Sequence, residues 1–156
     1  MLVETEIEAK IVAAISAKVA SSGAVVVGAR QVAASGYVKG ETDETTHALV
    51  VVALGFRAND TFSLSPISID GSIAITTTIE TDPTGETNES CLEGVANLLQ
   101  LWHDQPKQSE LALSTDRFTF GELRLSGGSG KQFNDTRSAW VESIQFTIRG
   151  ALTKGN

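Results

Sequence analysis

The sequence predicts an α+β domain: an antiparallel or mixed sheet of about five strands with two amphipathic helices packed on one face. Three observations lead there. Helical periodicity opens the chain and recurs near its middle, between strand-like runs. Those runs cluster between and after the helices instead of alternating with them one by one. A doubly wound nucleotide-binding fold needs that strict alternation and is therefore disfavoured.

The first helix begins at Thr5-Glu6-Ile7-Glu8, which has capping-box spacing. Val3, Ile7, Ile11, Ile15 and Val19 then recur every four residues, with Val12 and Ala14 beside them, so one face is apolar. Ser21-Ser22-Gly23 ends it, because glycine readily takes the left-handed cap conformation. Ala24 to Val27 is short and β-branched, a buried strand halting at Gly28. Gly36 to Thr46 is acidic and aperiodic, as a loop or hairpin tip is. His47 to Phe56 is apolar on both faces and suits a central strand. Arg57 to Asp70 reads as a connection, with a short edge strand at Phe62 to Leu64. Ile73, Ile75, Thr77 and Ile79 alternate with Ala74, Thr76, Thr78 and Glu80, the pattern of a half-buried strand.

The second helix carries the clearest local signal. Ser90-Cys91-Leu92-Glu93 has capping-box spacing and predicts the start, while Pro106 predicts an end near His103 or Asp104. Leu92, Val95, Ala96, Leu99 and Trp102 form one face, Leu98 and Leu101 widen it, and Glu93, Asn97, Gln100 and Asp104 are left outside. Phe118 and Phe120 then fall on the opposite parity from Leu123 and Leu125, which predicts a bulge at Gly121. Ser126 to Gly130 reads as a flexible loop. Trp140, Ile144, Phe146 and Ile148 give the cleanest strand, interrupted on its apolar side by Glu142, and Thr153 to Asn156 is a tail.

A chain of 156 residues without a Pro-rich or Ser-rich linker is expected to form one domain over 1–156. Its hydrophobic share, 41%, is enough for a core, yet no apolar run approaches the roughly 20 residues of a membrane span. The expectation is a soluble protein without a secretory leader, since the first residues are acidic and no basic, then apolar, start is present. Cys91 is the sole cysteine, so no intrachain disulfide can form and a reducing compartment fits. Nineteen acidic against twelve basic residues give a formal charge of −7, which opposes binding to a phosphate backbone. Sequons at Asn59, Asn88 and Asn134 have no glycosylation meaning without export.

No motif carries chemistry. Gly127-Gly128-Ser129-Gly130-Lys131 fails the phosphate-loop spacing, because Leu125 stands where the first glycine is needed and Gln132 follows the lysine. His47 and His103 lack a carboxylate or thiol at metal-ligand spacing. Cys91 in a first helical turn could have a lowered pKa, but a small buried residue is the simpler reading. The aspartates at 60, 70, 82, 104, 116 and 135 are scattered through predicted loops, where aspartate is at home. Trp102 and Trp140 sit at periodic positions and read as core. Catalytic residues, metals and cofactors are accordingly not expected. Glu41, Asp43 and Glu44 form an acidic loop, a solvated tip or an arm that meets a neighbour.

As an ordered set, these features resemble the tail-terminator and neck proteins of long-tailed bacteriophages. The resemblance is one of layout. It runs from the helix at Thr5 to Ser21, through the acidic loop, the strand at Ile73 to Glu80 and the helix at Ser90 to His103. It continues to the strand at Phe118 to Leu125, the Gly-rich loop and the closing strand at Trp140 to Gly150. It implies a virion structural protein, made in the host cytoplasm, whose copies close into a ring, commonly of six. That ring caps the tail tube and joins it to a head-side neck protein. Glu41, Asp43, Glu44 and Lys131 are then the expected interface or lumen residues, around an acidic or neutral hole through which DNA slides. The loops at Gly36 to Thr46 and Gly127 to Gln132 are expected to become ordered on assembly. The chain is somewhat longer than the smallest such proteins, and a head-tail adaptor, a tail-tube subunit or a capsid decoration protein remain alternatives. A different class is a small cytoplasmic enzyme or ligand-binding domain, with its site near Asp60 to Asp70 or at Gly127 to Lys131.

Overall fold

In the computed structural model, residues 3–30, 48–57, 67–136 and 138–152 are described. Helix α1 (Val3–Val19) passes through a 3-10 turn (Ala20–Ser22) into β1 (Val25–Gly28). Strands β2 (Leu49–Arg57) and β3 (Ile67–Thr78) precede α2 (Glu86–Asp104) and α3 (Pro106–Leu113), and β4 (Phe118–Asn134) and β5 (Ala139–Leu152) close the domain. The five strands form one mixed sheet in the order β1-β2-β3-β5-β4. Only β1 and β2 run parallel, with Val25 opposite Leu49; the other pairs are antiparallel, with Val52 opposite Ile73, Ile73 opposite Ile144, and Ile148 opposite Leu123.

The α+β architecture follows from where apolar side chains fall. Ile7, Ile11, Ile15 and Val19 are buried along one stripe of α1, as their four-residue spacing requires. Burying each is worth about 1.5 to 3 kcal/mol relative to exposure. They meet Val50, Val52 and Leu54 of β2 and Ile67, Ile69, Ile73 and Ile75 of β3 in a single core. Cys91, Val95, Leu99 and Trp102 of α2 continue that core towards Phe118, Phe120 and Leu123 of β4 and Phe146 and Ile148 of β5. Glu93, Asn97, Gln100 and Asp104 are exposed on the far side of α2, whereas Leu101 lies at the rim, 38% exposed. Gly23 takes the left-handed conformation at φ 72°. The register shift between Phe120 and Glu122 sets the bulge at Gly121 and reconciles the two parities of β4.

Several expectations need correction. The Ser90 box does not start α2, which begins one turn earlier, at Glu86. Gly85 occupies the N-cap with φ 78° and no side-chain cap, a left-handed position that glycine holds at little cost. The free amides are served from outside the helix. Asp82, 3% exposed, accepts from the Thr87 amide at 3.2 Å through Oδ1 and from the Asn88 amide at 3.0 Å through Oδ2. A carboxylate there also suits the positive end of the helix dipole. Its Oδ2 takes a further bond from the Thr77 hydroxyl at 3.3 Å, and its main-chain carbonyl accepts from Trp140 Nε1 at 3.0 Å. Asp82 thus lies in the loop between β3 and α2, as expected of aspartate, but as a buried joint and not a solvated turn residue.

Pro106 ends α2 as expected but also begins α3, because proline fits the first helical position, where no amide bond is lost. Asp70 lies inside β3, which starts at Ile67 and not at Ile73, so the stretch from Ile67 to Asp70 is strand and not connection. Ser126 to Gly130 is part of the 17-residue strand β4, where register shifts between Leu125 and Gly127 and between Ser129 and Gln132 absorb the glycines as bulges. The expected edge strand at Phe62 to Leu64 lies outside the described residues.

Two expected outcomes follow. Trp102→Ala removes a 4%-exposed ring from the α2 face and should cost about 3 to 5 kcal/mol in denaturant titration; a loss under about 0.5 kcal/mol, as surface changes give, contradicts the packing. Asp82→Ala should cost about 2 to 4 kcal/mol, the sum of a lost helix cap and buried donors left unpaired. Ser90→Ala should by contrast stay within about 0.5 kcal/mol of the parent, since Ser90 is exposed and caps nothing. Equal losses in the two variants would return the cap to Ser90.

Candidate assembly surface

All three described helices pack on the side of the sheet that carries Ile69, Ile73 and Ile75, and among the described residues no element covers the other side. Alternation along β3 sends Asp70, Ser72, Ala74, Thr76 and Thr78, all half-buried, to that face, while Ser68 of the same parity is buried. The pairing register sets Val51 and Ser143 beside Ala74, Ala53 and Gln145 beside Ser72, and Gly55 and Thr147 beside Asp70. The result is a platform of small side chains with a depression of about 720 Å³ over Ala53, Gly55, Asp70, Ser72, Gln145 and Thr147. Its charges are internally engaged: the Thr147 hydroxyl donates to Asp70 at 2.9 Å, and Glu122 lies 3.2 Å from Arg124 and 3.5 Å from Arg149.

One end of the sheet carries a cluster of charge and aromatic rings. Lys131 on β4 reaches across the start of α2, with Nζ 2.9 Å from Glu89 Oε1, 3.4 Å from the Thr84 carbonyl and 4.9 Å from the centre of the Trp140 ring. Phe133 meets Trp140 edge-on at 5.3 Å and stays 43% exposed. Below them Asn88 is fully buried and donates through Nδ2 to the carbonyls of Ile75 at 3.3 Å and Trp140 at 3.4 Å, while its Oδ1 finds no partner among the described residues. Glu142, 2% exposed, has its pKa raised, chiefly by desolvation; Lys131 opposes the rise and Glu89 adds to it.

A second polar joint sits at the other end. Glu8 emerges from the buried side of α1, and its carboxylate takes the Arg30 guanidinium at 2.6 Å and the Arg30 amide at 3.2 Å. Arg30 Nη2 also donates to the Leu54 carbonyl at 3.0 Å, so helix, β1 end and β2 are tied by one ion pair. Gly28 permits it, because a Cβ at that position would run into the Glu8 carboxylate.

Of the expected interface residues, Lys131 is half-buried and engaged within its own chain, and Glu41, Asp43 and Glu44 lie outside the described residues. Cys91 is buried in the second turn of α2, not the first, and its pKa is raised by burial, with a partial offset from the Ser22 hydroxyl at 3.4 Å. That environment is the opposite of an activated thiolate. His103 is exposed beside Asp104, whose pKa the His103 and Gln100 hydrogen bonds lower. No group of three or more His, Cys, Asp or Glu converges on a metal-sized site among the described residues, and no described helix is long and apolar enough to cross a membrane. Sequence reasoning missed the Glu8–Arg30 pair. Its one signal was a carboxylate one position off an otherwise apolar stripe. No protein-family model and no curated protein matches the chain.

Because the raised Glu142 pKa means the folded state holds the proton more tightly than the unfolded chain, ionised Glu142 opposes folding at neutral pH, and acidification through the raised pKa relieves it. Glu142→Gln should thus stabilise the domain at pH 7, with the gain fading as the pH falls towards the ordinary glutamate pKa. Thermal melts across that range check it; a gain that grows on acidification contradicts the assignment.

Proposed function

We propose that this chain is a virion structural protein of a long-tailed bacteriophage, a tail terminator that assembles as a closed ring between the tail tube and a head-side neck protein. The observation that supports it most is the one-sided sheet. Every described helix lies on one face, and the other is a shallow platform centred on Ser, Thr, Ala, Gly and Val, with Gln145 and the mutually paired Glu122, Arg124 and Arg149 beside them. In this reading the platform is buried against neighbouring parts of the particle. The polar groups found in the described residues hold elements of the chain together: Asp82 joins β3 to α2, Glu8 joins α1 to Arg30, and Lys131 joins β4 to α2. A chain so occupied works through surfaces.

Identical subunits that meet through two different patches close into a ring when the rotation between them permits. The net charge of −7 and the paired Glu122, Arg124 and Arg149 disfavour a grip on phosphate, so passing DNA slides through an acidic or neutral hole. The same platform suits a head-tail adaptor, a tail-tube subunit or a decoration protein, and position in the particle separates them. Electron microscopy of purified particles, with a deletion of the gene, tests the reading. A ring at the head-tail junction and overlong or headless tails in the deletion are expected. Density for the chain elsewhere, or intact particles without it, overturns the terminator assignment.

A further inference from the structure

Two buried polar groups without partners among the described residues meet at one step of the sheet. Asn88, fully buried in the first turn of α2, donates through Nδ2 to the carbonyls of Ile75 on β3 and Trp140 on β5. Those two acceptors fix the orientation of the amide, because a flipped amide would set Oδ1 against both carbonyl oxygens. Oδ1 is thereby left without a donor, a state in which a buried acceptor is seldom found. Glu142 is the second group. It lies opposite Ile75 in the register of β3 and β5 and two residues after Trp140, so it leaves the sheet where the Asn88 amide sits, on the core-facing side that Ile75 shares. It is 2% exposed, and no hydrogen bond or ion pair reaches its carboxyl among the described residues.

We propose that these two groups form a proton-dependent latch between β5 and α2: the protonated Glu142 carboxyl donates to Asn88 Oδ1, and ionisation of Glu142 removes the bond. The proton comes from solvent and stays on the Glu142 carboxyl, so no other group changes state. Other donors at this step are already committed. The Thr77 hydroxyl serves Asp82 Oδ2, Trp140 Nε1 serves the Asp82 carbonyl, and Lys131 Nζ serves Glu89 and the Thr84 carbonyl. A neutral carboxyl can fill the gap, whereas an ionised one can only accept. The surroundings of Glu142 favour that neutral form. Burial is the largest effect; Glu89, next to Asn88 on α2, adds to it, and Lys131 on β4 opposes it from 2.9 Å beside Glu89. Asp82, in the loop before α2, is a further anion at this turn, held by Thr77 and the Thr87 and Asn88 amides, and β3 brings Ile75 and Thr77, neither of which titrates. Below the raised Glu142 pKa the latch is closed. As the pH rises through that pKa, Asn88 Oδ1 loses its donor and a buried anion takes its place, so the first turn of α2 is held less firmly to β5.

The test follows both side chains by nuclear magnetic resonance in a pH titration of the full chain. The Asn88 side-chain amide signal should shift with the same midpoint as the Glu142 carboxyl carbon, above the ordinary glutamate range. In Glu142→Gln, whose amide donates at every pH, that shift of Asn88 should vanish. Glu142→Met removes the same charge but supplies no donor. The backbone amides of Asn88 and Glu89 should therefore exchange with solvent several-fold faster at pH 7 in Glu142→Met than in Glu142→Gln. An Asn88 signal that ignores the Glu142 midpoint, a Glu142 midpoint in the ordinary range, or equal exchange in the two variants overturns the latch. Should Glu142→Met fail to fold, the titration of the parent decides alone: a shared, raised midpoint supports the latch and separate midpoints overturn it. The ring reading is untouched by any of these outcomes, since the latch lies within one subunit.

Discussion

The buried carboxylate of Asp82 is the constraint on which the rest of the structure turns. The chain leaves β3 at Thr78 and must reverse into α2 within a few residues, while Gly85, at the N-cap, has no side chain to offer the helix. Asp82 supplies what the turn lacks, accepting from two amides of the first helical turn and from Thr77 on the strand it has just left. Its own carbonyl then takes the Trp140 indole, which brings β5 into the same joint. Asn88, one of the two residues whose amides Asp82 receives, reaches down to carbonyls of β3 and β5. Unpaired, each of these buried groups would cost on the order of 1 to 3 kcal/mol, so the joint is held by the penalty for breaking it more than by the gain from making it.

With α2 anchored there, its apolar stripe falls on β3, β5 and β4, and α1 has only the remaining strip over β1 and β2 to fill. The described helices are thereby confined to one side, and alternation in β3 presents mostly short polar residues to the other. Antiparallel sheets commonly face water in this way. Away from that platform, α3 leaves Leu111 exposed. The exposed edge of β4 is guarded against indiscriminate pairing by its bulges and by Lys131, as edge strands often are.

The legible parts of this fold were those written in periodicity. Ile7, Ile11, Ile15 and Val19 determine which side of α1 is buried, and the parity change between Phe120 and Leu123 marks the bulge at Gly121. What escaped depended on contacts between distant residues. The Ser90 box had the right spacing, yet Asp82 offered a better acceptor eight residues upstream, and the helix began where that acceptor could serve it. The run Ser126 to Gly130 has the composition of a loop but is drawn into a strand because β5 provides a long neighbour for it, with Gly128 opposite Ile144. The Glu8–Arg30 pair joins residues 22 apart in sequence, and local pattern gives no means of finding such a partner. The surface was less legible still, since a platform of Ser, Thr and Ala reads in sequence only as the polar half of a strand.

The most direct test of the whole account asks whether that platform is covered in the particle. Single cysteines at Ser72 and Thr76, both on the bare face of β3, should react readily with a maleimide in the isolated subunit, against the silent background of buried Cys91. In assembled particles the same thiols should be protected and should regain reactivity only when the particle is dissociated. Equal labelling rates in free and assembled protein would show that the bare face stays in solvent, and would contradict the claim that this domain functions by burying it.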